Sequence, residues 1–168
     1  MPNVFGDFNL SGFWENAEED NISRPATQEM IQNIELRTGR KLPSSYIELV
    51  MHQNGGTPTN TVFRTTEPTS WAEDHIAITA ILGVDDNSPY AIDNDLWVTE
   101  WGYPDLGIYI CDCPSGGHDM ICLDYRKCGP SGEPEVVHID QELDYKVTHL
   151  ADNFESFVRG LIHEDEVE

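Results

Sequence analysis

Basic residues are scarce in this chain. Its 168 residues hold 9 lysines and arginines against 31 aspartates and glutamates, a formal net charge of −22. A small domain is comfortable with a net charge of about 2–8 in magnitude, so the skew itself carries information. Phosphates would be repelled, which excludes nucleic acid and anionic membrane as expected partners. A basic protein partner is favoured instead, with charge steering speeding the encounter. The same acidity also serves solubility. Long apolar runs are missing, so no segment is expected to span a bilayer. The opening residues have neither the basic start nor the apolar stretch of an export signal. With no export signal, the four cysteines are read as thiols and the expected compartment is the cytoplasm.

Catalytic signatures are absent as well. The six histidines, at 52, 75, 118, 138, 149 and 163, form no H-E-x-x-H. There is no G-x-S-x-G elbow, phosphate-binding loop or dinucleotide fingerprint. Carboxylate pairs such as Asp85/Asp86 and Asp93/Asp95 are what chance supplies in so acidic a chain. Their spacing singles out no acid and base. The expectation is a protein that is not an enzyme and carries no cofactor.

The apolar content, 39% with 10% aromatic, suffices for one well-cored domain. Residues 1–22 read as an irregular leader whose Phe5, Phe8, Phe13 and Trp14 pack on the domain, with a solvated cluster at Glu15, Glu18, Glu19 and Asp20. The domain spans 23–162 and an acidic tail, 163–168, is expected to fray against the helix dipole. A helix over 25–38 is predicted from Pro25 and the shared face of Met30, Ile31 and Ile34, with Ser23 as cap and Gly39 as the left-handed stop. A second helix over 43–52 buries Tyr46, Leu49 and Val50 and ends at Asn54-Gly55-Gly56. Strands are predicted over 61–66 and 75–84, broken at Asp86-Asn87-Ser88-Pro89, and a short helix over 90–96.

Residues 108–113 and 120–125 form a hairpin about Gly116-Gly117, a register that sets Cys111 opposite Cys122, Cys113 opposite Met120 and Ile110 opposite Leu123. A strand follows over 135–140. Phe154, Phe157, Val158, Leu161 and Ile162 then mark a final amphipathic helix capped by Asp152 with Glu155. Helices at both ends of a strand-rich middle imply an α+β fold with a mostly antiparallel sheet.

Two constellations could carry chemistry. Cys111, Cys113, His118 and Cys122 offer thiolates and imidazole, the ligands zinc prefers. Their spacing lacks paired C-x₂-C knuckles, and cysteines on a sheet face behave as small apolar residues. No metal is expected, and this set is the one a zinc ion would need. The second is the stretch 93–105. Asp93, Asp95, Trp97, Glu100, Trp101, Tyr103 and Asp105 mix acids with the aromatics favoured at interfaces, and are the expected partner-facing residues.

The order of motifs resembles the SUKH superfamily. Leu42-Pro43-Ser44-Ser45-Tyr46, then Leu49 and Asn54-Gly55-Gly56, is similar to its LP-x-x-Y…NGG signature. Ile31, Ile34 and Gly39 precede it. Glu100-Trp101-Gly102, Gly116-Gly117-His118-Asp119, Ile121-Cys122-Leu123-Asp124, Val136-Val137-His138 and the helix with Phe154 and Phe157 follow in order. The likeness covers residues 23–162; the leader and the cysteine-rich hairpin depart from it. That superfamily includes a yeast cell-wall assembly regulator and many bacterial toxin-immunity proteins. The resemblance implies an α+β, non-enzymatic protein that neutralises a cognate toxin, often a nuclease. The alternatives are a regulatory interaction module and, further off, a zinc protein or enzyme.

Overall fold

The computed structural model describes residues 4–10, 12–15, 24–88 and 90–167. Ser23, Pro89 and the acids at 18–20 lie outside them. Helix α1 spans Gln28–Thr38, capped by Thr27, whose hydroxyl accepts from the Met30 N–H at 3.2 Å, and it stops at Gly39 with φ +68°. Ile31 and Ile34 are its buried face. Helix α2, Ser44–His52, starts directly after Pro43 and buries Tyr46, Leu49 and Val50. The Tyr46 hydroxyl donates to the Leu82 carbonyl at 2.5 Å, which ties α2 to the sheet.

Strands β1 (Val62–Arg64) and β2 (His75–Ala77) form a small antiparallel sheet. Strands β3 (Ala80–Ile81), β4 (Gly107–Asp112), β5 (Asp119–Asp124), β6 (Glu135–Asp140) and β7 (Lys146–Ala151) form an antiparallel meander in chain order. Helix α3, Phe154–Gly160, packs on β7, β6 and α2. The fold is therefore α+β, with one mainly antiparallel sheet and one core. That core includes Phe5, Phe13 and Trp14, with Phe8 packed against it.

The apolar stretch at 75–84 is two strands, not one. The Ile78 N–H bonds the Thr61 carbonyl of the small sheet, and the next residue, Thr79, bonds the Asp112 carbonyl of the large one. The chain changes sheets there. Residues 90–92 are extended rather than helical, because Gly83 holds them on both sides: its N–H bonds the Tyr90 carbonyl and its carbonyl accepts from Ile92. The helical part of the 90–96 segment begins only at Asn94. Strand β7 escapes a period-2 reading, since only Val147 and Leu150 are large and apolar in it. Asn153, not Asp152, caps α3, accepting from Ser156 at 2.8 Å. The tail does not fray over 164–166. It forms a short 3₁₀ turn in which His163 and Glu166 cap each other.

The hairpin register also differs. Tyr109 lies opposite Cys122, Cys111 opposite Ile121, Asp112 opposite Met120 and Ile108 opposite Leu123. A bulge between Tyr109 and Cys111 places Ile110 as the extra residue. Cross-strand partners share a face, so Cys111 and Cys122 lie on opposite sides of the sheet.

The Asn54-Gly55-Gly56 turn has a mechanical role. Asn54 is buried, donates to the Arg24 carbonyl at 2.8 Å and accepts from the Val84 N–H at 2.8 Å. Gly55 (φ +86°) presses on Gly83, where a Cβ would stand 2.9 Å from its nitrogen. Gly56 then exchanges both backbone hydrogen bonds with Ile81, which covers the edge of β3. Beside this turn Arg24 grips the buried Asp85 with two hydrogen bonds, 2.7 and 3.0 Å. The guanidinium, aided by the Asn87 N–H, holds the Asp85 carboxyl down at about 2. A depressed carboxyl stabilises the fold above its unfolded value near 3.9. That contribution is lost as pH falls toward about 2. Asp85→Asn should therefore lower the urea midpoint at pH 7, and the gap to the parent protein should close between about pH 4 and 2. A gap that does not change with pH would count against this pairing.

Candidate functional site

The 93–105 segment crosses the sheet face that carries Tyr109. It opens with Asp93, whose carboxylate accepts from the Leu96 N–H at 3.3 Å. A single wide turn, Leu96–Glu100, follows, closed by the Trp101 N–H on the Leu96 carbonyl at 3.1 Å. Such π-type turns are rare and recur at functional sites. Trp97 and Trp101 come into ring contact, with centroids 5.4 Å apart, and both stay partly exposed. Asp93, Asp95, Glu100 and Asp105 are exposed. Asp105 is engaged by Arg40 at 3.1 Å. The Asp95 and Glu100 side chains are exposed and make no hydrogen bond or ion pair with any described residue.

Tyr103 belongs beneath this surface, not on it. It is 2% exposed, sits edge-on to Tyr109 and Tyr145, and donates to the Gly117 carbonyl at 2.6 Å. Tyr145 in turn donates to the Trp101 carbonyl at 2.7 Å. The segment is thus fastened to the sheet by two tyrosine hydroxyls. Trp101 also lies on the β4–β5 loop, so close that a Cβ at Gly117 would meet its ring at 2.8 Å. Gly117 has φ +104°, and glycine answers both the conformation and the approach.

The thiol and imidazole set does not come together. Cys111, Cys113 and Cys122 are buried free thiols, and burial pushes all three well up, which leaves no activated thiolate. His118 points outward to Glu142 at 2.5 Å. Its neighbour Asp119 turns inward to His138 at 2.7 Å, with both residues buried. Ser115 hydrogen-bonds Asp119 and accepts from the backbone N–H groups of His118 and Asp119, so this carboxylate closes the hairpin loop. Among the described residues, three metal-type ligand atoms converge only at Glu135, His149 and Asp152. There His149 sits between the two carboxylates, at 3.6 and 3.2 Å, and Lys127 pairs with Glu135 at 3.1 Å. A lysine of the chain itself already meets part of that charge.

A groove of about 240 Å³ opens beside Trp97. Its walls include Arg37, Asp86, Ile92, Asp93 and, from the end of β4, Asp112. Arg37 bonds Asp86. The Asp112 carboxyl is raised by burial, against the pull of the Ala80 and Asp112 N–H groups, and its Oδ1 is buried with no hydrogen-bond partner among the described residues. Asp112 was legible only as one acid among many, because its place beside Trp97 depends on a strand pairing far along the chain.

No described helix is long and apolar enough to cross a membrane. Compared with known families, residues 25–160 match the SMI1 / KNR4 family (SUKH-1). No curated protein matches the chain.

Proposed function

The chain belongs to the SMI1 / KNR4 family (SUKH-1), and from that premise we propose that it is an immunity protein, which binds a cognate toxin and holds it inactive. The partner is a basic protein domain, with a nuclease the best fit to the charge. Nuclease domains need positive surfaces for phosphates, and a protein of net charge −22 competes for such a surface. The observation that carries the reading is the 93–105 surface, where two half-exposed tryptophans are ringed by exposed carboxylates. Aromatic anchors within a charged rim are the usual anatomy of a tight interface. The role asked of this surface is occlusion, which needs no catalytic group, and the raised thiols fit a protein without a nucleophile. The site of action is the cytoplasm of the cell that makes the toxin.

Titrating the purified protein into its candidate toxin should abolish toxin activity at equimolar ratio. Full activity, with no complex on size-exclusion chromatography, would sink the proposal. Raising salt from about 50 to 500 mM should slow association far more than dissociation. An association rate indifferent to salt would assign the acidity to solubility instead.

A further inference from the structure

The groove beside Trp97 has the chemistry of a cation pocket. Three carboxylates, Asp86, Asp93 and Asp112, face it against one guanidinium, that of Arg37. Two of the acids are occupied: Asp86 by Arg37, and Asp93 by the Leu96 N–H. Asp112 is not. By the register it shares the sheet face of Tyr109, the face that the 93–105 segment covers. A buried carboxylate oxygen with no donor is costly, and native structures rarely leave one so without a role. The indole of Trp97 supplies the wall that a flat cation stacks against. We propose that this groove receives a cationic side chain, above all arginine, from the protein that docks on the 93–105 surface, with Asp112 accepting its hydrogen bonds and Trp97 covering its plane. The inference rests on the proposed binding of a basic partner and names the contact that would orient it. It also uses the partial burial of Asp112: a carboxylate partly withdrawn from water pairs more strongly with an incoming cation than a fully solvated one does.

The test uses the whole protein and Nα-acetyl-arginine amide, with the citrulline amide as its uncharged equal in shape. Two-dimensional NMR follows the Trp97 indole N–H and the Asp112 amide. The arginine amide should move both saturably, and the citrulline amide should not. Asp112→Asn should weaken binding about tenfold or more, and Asp93→Asn, which keeps a capping side chain, by less. Glu73→Gln, at an exposed acid outside both the groove and the 93–105 surface, should change nothing. No saturable shift, an equal response to citrulline, or undiminished binding by an Asp112→Asn protein of unchanged melting temperature would each overturn the inference. Failure of the broader reading looks different. Arginine amide would still bind while no basic toxin is neutralised. Conversely, a neutralised toxin whose affinity ignores Asp112→Asn overturns the groove alone.

Discussion

Reversing two charges, Asp95→Lys with Glu100→Lys, slows association with a basic toxin domain by about ten- to a hundredfold at low ionic strength. Dissociation changes much less, because steering acts on the encounter and not on the docked contacts. These two acids are the right ones to reverse. Both are exposed and neither is paired with a described residue, so lysine at either position leaves no buried partner among them stranded. The other acids of the segment are compromised as probes. Asp93 holds a backbone N–H and Asp105 holds Arg40, so their loss would mix structure with recognition. Stopped-flow mixing at several salt concentrations measures the effect. An unchanged association rate would move the docking surface away from this segment.

The second large effect is on stability. Gly107→Ala should lower the melting temperature by roughly 10 °C, the result of about 3 kcal/mol or more of destabilisation in a domain of this size. A Cβ at Gly107 would stand 1.5 Å from the Leu123 carbonyl oxygen on the facing strand. No rotamer relieves that contact, because the backbone fixes the position of a Cβ and the oxygen it meets is itself backbone. The strands must part where Gly107 pairs with Asp124. The Gly107 carbonyl also accepts from Asn94 at 2.7 Å and from Arg40 at 3.2 Å, so the parting pulls on the start of the recognition segment as well. Gly39→Ala is the contrast. Its Cβ meets nothing within 4 Å, and φ +68° alone costs about 1–2 kcal/mol. Calorimetry separates the two. Equal losses would mean that the close approach is illusory.

Much of the architecture was readable from pattern alone. The spacing of Phe154, Phe157 and Val158 gives α3, and Tyr46 with Leu49 and Val50 gives α2, because one buried stripe repeats with the helical period. Register was not readable, since a bulge at Ile110 changes which residues face each other without altering composition. Strand β7 is thin in apolar residues because it lies at the sheet edge. In the candidate site, the acids and both tryptophans stand at the surface, where a mixed polar and aromatic stretch belongs. Tyr103 looks the same in sequence, and only the stacking of Tyr109 and Tyr145 around it decides that it is buried. Asp112 could not be singled out, because nothing in sequence separates it from a dozen solvated carboxylates.

The meander has a kinetic corollary. Strands β4 to β7 each pair with the next along the chain, so every step of sheet growth closes only a short loop, the inexpensive route in chain entropy. The connection that leaves β3 and returns at β4 is the long one, and it carries Trp97, Asp95 and Glu100. Loop-closure entropy predicts that it docks after the meander has formed. Substitutions there should speed unfolding and leave the folding rate nearly untouched. A lineage could then retune what this stretch recognises without slowing the birth of each new molecule.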